Sequence, residues 1–471
     1  MPGRFLSFFR PVARVMPEVK APERRGAFNE KLLWTALVVV SYFILSEIPI
    51  YGAVRQEGDP YYYLRVIFAS SRGSLMELGI QPIVTSGIIT QLISSSGLIG
   101  FDRNSSEDRE TLSGVTKFFA ILMTGLLAAA YILSGVYGRG LSTGLMAAIF
   151  VQLFTVGILV ILLDELLQKG WGLGSGISLF IAGGVAQKII WDLFSPIPFE
   201  ENGNVFGSLI AFFQSVFRGE SLLSAFVRRS RPDAPTMLGL LVTIAVFLVV
   251  IYMEALKVEI PISYAKYRGF RGQYPVKFLY VSNIPVILVS SLFMDVYFVA
   301  QIIWSRFNAA GDNIWLNWIG VFRENEPVSG LAYYMTSPRN LEAFIADPVR
   351  GLVYTGLLVG LCVLFGIIWL QVSGMDPASV AEQLVDSGLQ IPGFRRSVKP
   401  IQSVLERYIP TVAVLGSIAV GLVASVSDFF GAYGTGMGIL LTVGILYQVY
   451  QAIAQEQMWE MFPLLRRFIG E

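Results

Sequence analysis

The stretch Leu163-Asp-Glu-Leu-Leu-Gln-Lys-Gly-Trp-Gly-Leu-Gly-Ser-Gly-Ile-Ser-Leu-Phe-Ile181 closes one apolar helix and opens another. An apolar run over residues 145–167 leads into it and a second, 176–194, leads out, each long enough to cross a bilayer core of about 30 Å as a helix. Asp164, Glu165 and Lys169 mark a water-facing edge, and the alternating glycines Gly172, Gly174 and Gly176 give the backbone the freedom a turn needs. The pattern returns late in the chain, where Gly434-Thr-Gly-Met-Gly-Ile-Leu-Leu441 follows an apolar run over 408–429. In both places glycines alternate and then give way to the same Ile-x-Leu step. Neither run follows a strand or ends in Gly-Lys-Ser/Thr, so neither reads as a phosphate-binding loop. The echo points to two related halves.

Working outward, span-length apolar runs cover 32–50, 78–99, 118–137, 145–167, 176–194, 237–256, 281–304, 352–372, 408–429 and 434–453, ten in all. The composition agrees: 54% of the 471 residues are hydrophobic, only 15% are charged, and the mean hydropathy is +0.61. A soluble protein carries roughly a quarter charged residues. A net charge of +1 argues against a polyanion binder acting through bulk charge, and the absence of histidine removes imidazole bases, His ligands and Ser-His or Cys-His pairs. The single cysteine, Cys362, forms no internal disulfide or Cys-based metal site, and neither cofactor nor enzymatic activity is expected. The basic, Pro-broken N-terminal segment does not read as a signal peptide. With a cytosolic N-terminus, the cytosolic segments hold 22 of the 35 Lys and Arg residues. Ten spans then split into two five-span halves of opposite topology, the arithmetic of an inverted repeat.

Five pieces do not suit a plain bundle. Asp59-Pro-Tyr-Tyr-Tyr-Leu-Arg-Val-Ile-Phe-Ala-Ser-Ser71 is too short to span and too apolar for an open loop, so it is either re-entrant or flat at the outer surface. The second span carries Thr85, Ser86, Thr90, Gln91, Ser94, Ser95 and Ser96, a set that suits a wet cavity or a separable helix seam as well as packing. Asp295 lies deep in the seventh span, where a carboxylate needs a partner or a proton, and a polar latch between helices is the better reading than a proton relay. Two long basic cytosolic segments, with Lys266, Arg268 and Arg271 and with Arg395, Arg396 and Lys399, suit anionic lipid or a polyanion such as ribosomal RNA.

Several strings now form a recognisable pattern: Leu75-Met-Glu-Leu-Gly-Ile-Gln-Pro-Ile-Val-Thr-Ser-Gly87, the opening 163–181 stretch, Tyr267-Arg-Gly269, Ser282-Asn-Ile-Pro-Val-Ile-Leu288, Arg407-Tyr-Ile-Pro410 and the 434–441 run. Over essentially the whole chain they resemble the SecY family, the large subunit of the Sec protein-conducting channel. Gly269-Phe-Arg-Gly-Gln-Tyr-Pro-Val-Lys-Phe278 and Ile391-Pro-Gly-Phe-Arg-Arg-Ser397 resemble its archaeal and eukaryotic branch. The resemblance implies an all-α membrane protein, ten transmembrane helices in two inverted five-helix halves around a central hourglass pore, with a short plug helix. The ring constricting that pore falls on Ile80, Val84, Ile177, Ile181, Ile287 and Leu441, all branched aliphatics. A narrow apolar ring resists ions by dewetting. The plug falls on 59–72, including Tyr61, Tyr62, Tyr63, Leu64, Arg65, Val66, Ile67 and Phe68. The second, third, seventh and eighth spans match the lateral gate, with Thr85, Gln91, Leu127 and Asp295 at the seam. Here the chain departs from the pattern: the Asp295 position commonly carries Asn, and the often polar third-span position is Leu127. Arg268, Arg271, Arg395 and Arg396 fall in the two ribosome-docking loops.

The implied function is a channel that passes unfolded secretory polypeptides across the membrane and releases transmembrane segments sideways into lipid, with an ion-coupled secondary transporter as the alternative. The implied partners are a small single-span SecE/gamma-type subunit, a peripheral beta-type subunit, the ribosome and its RNA, signal sequences and nascent chains, and membrane lipid. The expected organisation is a cytosolic segment 1–31, a first half 32–199, an external segment 200–236, a second half 237–455 with cytosolic loops 257–280 and 373–408, and a cytosolic tail 456–471. An archaeal plasma membrane is favoured, with the endoplasmic reticulum as the alternative.

Overall fold

The structure, a computed structural model, describes residues 11, 16–24, 26–53, 65, 68–95, 106–133, 137, 141–199, 204–219, 221, 226–227, 234–264, 271–281, 284–308, 311–323, 326–338, 340–390 and 397–461, without the side chains of 106–109, 264, 271, 390 and 458–461. In chain order the helices are α1 (Phe28–Glu47), α2 (Gln81–Ser95), α3 (Ser106–Leu133), α4 (Thr143–Leu166), α5 (Gly176–Phe194), α6 (Ser208–Phe217), α7 (Met237–Ala255), α8 (Ile284–Phe307), α9 (Ile314–Asn317), α10 (Leu331–Tyr334), α11 (Leu341–Ala346), α12 (Pro348–Val372), α13 (Pro377–Asp386), α14 (Val398–Phe429) and α15 (Gly436–Met461). The short strands are β1 (Lys257–Tyr264), β2 (Arg271–Lys277), β3 (Val321–Arg323), β4 (Glu326–Ser329) and β5 (Leu389–Gln390).

Among the described residues, nine helices are long and apolar enough to cross a membrane. The remaining expected span is α2, whose 15 residues stop where the described chain stops. Local chemistry sets the starts. Ser142, Thr236, Asp347 and Asp376 each accept a backbone N–H in the first turn of α4, α7, α12 and α13, at 3.4, 3.2, 3.1 and 3.2 Å. Pro348 and Pro377 occupy first helical positions, where the missing N–H costs nothing.

The described chain forms two compact units, each discontinuous in sequence. The first comprises Met1–Ser195, Ser291–Tyr333 and Leu441–Glu471. Within it a π-helical turn, Leu167–Trp171, extends α4 and breaks at Gly170, whose φ of 99° suits glycine alone. Leu173 donates its N–H to Thr35 of α1 at 2.9 Å, and the Trp34 and Trp171 rings meet edge to face at 5.3 Å. The segment preceding α1 straps across this end. Lys117 bonds both the Pro17 carbonyl (2.9 Å) and Glu165 (2.7 Å), Trp171 donates to the Lys20 carbonyl at 2.8 Å, and Lys169 pairs with Glu18. The hydrogen bond from Lys169 holds the Glu18 carboxyl below its usual pKa. Lys31 of α1, buried, pairs with Glu456 of α15 at 2.6 Å.

The second unit comprises Pro196–Ser290 and Tyr334–Leu440. Helix α14 has 32 residues, about 48 Å of rise, well beyond a bilayer core. Its first third buries Ile401, Leu405 and Ile409 against Val380, Ala381 and Leu384 of α13, with Ile260 and Val276 from an antiparallel sheet of order β2-β1-β5. Tyr280 caps this core, its hydroxyl donating to the Met375 carbonyl at 3.1 Å and its phenol pushed up in pKa by burial. The segments read from sequence as two cytosolic loops thus contain one small water-soluble type of core. The segment expected to be external contains α6, tied down by Val205 donating to Gln214 at 3.1 Å and Arg218 to Asn204 at 2.6 Å.

Candidate functional site

The chain between residues 65 and 81 folds back on itself through glycines and charge. Gly79 has a φ of +53°, and a Cβ there would lie 2.1 Å from the Phe68 carbonyl oxygen. Only glycine allows that approach, and it brings the Ile80 N–H to the same carbonyl at 2.9 Å. The end of the expected plug is therefore bonded to Ile80, the residue that leads into α2 and an expected ring position. Arg65 and Glu77, both buried, form an ion pair at 2.6 Å. Glu77 also accepts the Gly73 N–H, and Arg65 donates to Ser70 at 3.2 Å and lies 6.0 Å from the Tyr131 ring of α3. Removing one partner of such a pair costs about 3–5 kcal/mol, because the other charge is left buried. Ala69, at a φ of 50°, fits beside Gly184 of α5, where a Cβ on the glycine would lie 3.6 Å from the Ala69 Cα. Tyr61, Tyr62, Tyr63, Leu64, Val66 and Ile67 lie outside the described residues.

One residue further on, the seam begins. Gln81 donates to Asp295 of α8 at 3.0 Å, and the Thr85 and Ser291 hydroxyls stand 3.4 Å apart. Asp295 thus has the partner its depth demands. That partner was not legible in the sequence, since Gln81 lies 214 residues away. Beside them, α3 meets α8 through the Tyr131 and Phe298 rings at 4.5 Å and through Arg306 donating to the Leu133 carbonyl at 3.3 Å. Gln91 lies about 15 Å of helix rise beyond Gln81, outside this set, and its carbonyl accepts the Ser94 hydroxyl at 3.0 Å. Leu127 is half-buried on α3 and supplies no polar group to the seam.

Of the expected ring residues, Ile80, Ile181 and Leu441 are fully buried in the first unit, where Val84 and Ile177 are half-buried. Ile287 is half-buried in the second unit. Helix α5 is held in place by Asp164 at the end of α4, whose Oδ1 accepts the Ser175 hydroxyl and the Ile177 N–H, both at 3.1 Å. Helix α15 is held by Asp428 at the end of α14, which accepts the Gly436 N–H at 2.7 Å. Seven residues before each aspartate stands a glycine filled by the preceding span: Gly157 against Thr124 of α3, Gly421 against Val359 of α12.

In the second unit, Arg271, Ser263 and Gln390 form one row across the sheet. Two strand spacings of about 4.8 Å separate its ends. Segments 265–270 and 391–396, holding Arg268, Arg395 and Arg396, lie outside the described residues, as does the Arg271 side chain. The chain enters both from this end of the sheet, at Tyr264 and Gln390.

Residues 74–450 match the SecY family model, and residues 40–73 match the plug domain of Sec61p. The chain is 42% identical to the protein translocase subunit SecY of Pyrococcus furiosus, covering 97% of each chain, and 42% identical to the Sec61 subunit alpha of Dictyostelium discoideum, covering 96% of this chain and 97% of that one. Its fold is similar to a solved protein-conducting channel, with a TM-score of 0.81 at 37% identity, covering 96% of this chain and 98% of the other. Sec61 in the canine ribosome-channel complex from the endoplasmic reticulum gives a TM-score of 0.79 at 35% identity and the same coverage. These likenesses set the transporter alternative aside. Archaeal and eukaryotic relatives stand at equal identity, so identity does not separate the two membranes offered by the sequence.

Proposed function

The chain belongs to the SecY family and is a non-enzymatic, multi-pass membrane subunit of a protein-conducting channel, and from that premise we propose how its residues divide the work. Three consecutive residues carry the reading: Gly79 receives the plug, Ile80 belongs to the ring, and Gln81 latches the gate. A signal sequence that parts α2 from α8 breaks the Gln81–Asp295 and Thr85–Ser291 contacts and withdraws the residue to which the plug is bonded. Ile80, Val84, Ile177, Ile181, Ile287 and Leu441 close around the passing chain, apolar enough to hold no side chain tightly. The buried Arg65–Glu77 pair favours two end states, seated or released, because an unpaired charge between them is costly. A stalled nascent chain should crosslink to photoreactive residues at Ile80, Ile177 and Leu441. Crosslinking confined to lipid-facing positions would overturn the pore assignment.

The halves 32–199 and 237–455 are proposed as the inverted repeat. The matched glycine–aspartate pairs, Gly157 with Asp164 and Gly421 with Asp428, support it. Single-span SecE/gamma-type and peripheral beta-type subunits are proposed to complete the complex.

The Asp295 side chain makes the latch a charge-assisted hydrogen bond, roughly twice as strong as a neutral one. Asp295→Asn keeps an acceptor and loses the charge, so the closed gate should weaken by about 1 kcal/mol and less hydrophobic signals should suffice for export. An unchanged threshold across a graded series of signals would refute the latch.

The arginines of 265–271 and 391–396 are proposed as one ribosome-docking surface contacting RNA phosphates. The shared row of Arg271 and Gln390 supports it, as does the canine relative's place in a ribosome complex. Reversing Arg395 and Arg396 to Glu should lower ribosome cosedimentation about tenfold at physiological salt while leaving thermal unfolding unchanged. Equal binding would count against it.

A further inference from the structure

Beyond the end of α8 the chain builds a hairpin that buries Phe322 and turns its two tryptophans outward. Asparagines form its frame. Asn308, buried, donates to Asn317 at 2.7 Å and accepts the Asn313 N–H at 3.0 Å. Asn313 accepts the Trp315 N–H at 3.1 Å, and Asn317 donates to the Gly311 carbonyl at 3.1 Å. The start of α10 locks on through Leu331 donating to the Trp318 carbonyl at 2.9 Å and Ala332 to that of Ile319 at 3.0 Å. Gly330, at a φ of +89°, lets the two arms touch: a Cβ there would lie 2.7 Å from the Asn317 carbonyl oxygen. Phe322, buried, fixes the hairpin to α8 by an edge-to-face contact with Tyr297 at 5.4 Å.

On this frame Ile314, Trp315 and Trp318 are 73%, 84% and 75% exposed, beside Phe307 at 76%. Exposed leucines and valines on the spanning helices face acyl chains and need no further account. These residues follow the last turn of α8, and two of them are indoles, which combine a large apolar ring with an N–H donor and settle at the boundary between headgroups and acyl chains. The patch follows α8 directly in the chain, and on that spanning helix Val299 and Phe307, two turns apart, are both exposed. A soluble loop held this firmly by its own hydrogen bonds has no reason to order two tryptophans toward water.

We propose that the first arm of this hairpin, 311–323, is a membrane-interface anchor, with Trp315 and Trp318 inserted at headgroup level on the side where α8 ends. Its occupant is phospholipid. The assignment needs only that α8 spans the bilayer, so it stands apart from the roles given to the ring, plug and loops. By fixing the outer end of α8, the anchor ties any movement of that helix to the lipid around it.

The test uses the full complex in phosphatidylcholine vesicles, with Trp315→Cys and, separately, Trp318→Cys in a Cys362→Ala background, each labelled with an environment-sensitive fluorophore. Emission should shift to the blue on transfer from detergent to vesicles, and a headgroup-linked nitroxide should quench it about twofold more than one near the acyl chain end. Water-like emission with no quenching by either lipid would overturn the proposal. So would blue-shifted emission already present in detergent and insensitive to both nitroxides, which would place a protein surface over the patch. Asn308→Ala, which loosens the frame and leaves both tryptophans in place, should reduce quenching of the Trp318→Cys label; unchanged quenching would remove the frame from the anchor.

Discussion

The turn from α4 into α5 and the turn from α14 into α15 use one device and differ in its surroundings. In each, an aspartate at the end of one span accepts backbone N–H from the start of the next, satisfying donors that a helix start leaves open. Asp428 reaches only eight residues ahead, to Gly436, in a turn buried from Ala432 through Leu441. There Thr435 holds a φ of 68°, costly for a β-branched residue, and its hydroxyl accepts the Gly438 N–H at 2.9 Å. Asp164 reaches eleven and thirteen residues, to Ser175 and Ile177, because the π-helical turn and Gly170 are inserted. That turn stays partly open, with Gly174 exposed, and borrows support from Thr35 of α1 and from Lys20 in the strap. The difference teaches that the same cap can be a tight internal rivet or a looser surface joint.

The contrast can be broken or sharpened by paired substitutions, read as thermal stability of the purified complex. The largest expected effect is at the glycines. A Cβ on Gly436 would lie 2.3 Å from the Ala424 carbonyl oxygen and 2.6 Å from the Ser427 Cβ, so Gly436→Ala should cost about 3 kcal/mol or prevent accumulation. Gly176→Ala meets the Asp164 Cα at 2.8 Å and should cost about 1–2 kcal/mol. Next come the aspartates. Asp428→Ala strands the Gly436 N–H and removes one partner of the buried Tyr354 hydroxyl, which lies 3.4 Å from Asp428, for a loss of about 2–3 kcal/mol. Asp164→Ala should cost about 1–2 kcal/mol, since the Ser175 hydroxyl is free to turn to water. The smallest effect is at the hydroxyls, where Thr435→Ala should lose about 1 kcal/mol of capping and Ser175→Ala about half that. Equal losses within any pair would break the comparison.

What was legible in the sequence was what length and apolarity determine. The run 176–194 is matched residue for residue by α5, and the other spans start or end within a few residues, except where α3, α14 and α15 continue into water. The glycine echo was also legible, but out of register. Aligned on Gly172 and Gly434 it pairs Gly176 with Gly438, whereas the helix starts pair Gly176 with Gly436, because the inserted turn before Gly172 has no counterpart after Asp428. The β1–β2 hairpin escaped the reading although Val258, Ile260 and Ile262 alternate, because Pro261 and Pro275 interrupt the signal and β5 joins from more than a hundred residues away. At the seam Thr85 and Asp295 were found by type and depth, while Gln81 and Ser291 gain meaning only from pairing across the fold.

Helix α14 joins two places treated separately above. Its first third is clamped in the small core by Ile401, Leu405 and Ile409, and its last turn carries Asp428, which fixes the start of α15. Pro410, just past the clamp, removes one backbone hydrogen bond and leaves a point where the rod yields. Such an element is a lever about 48 Å long with a compliant joint near its handle. The clamp ending at Ile409 and the cap at Asp428 therefore stand on one continuous helix, about 28 Å apart along its axis.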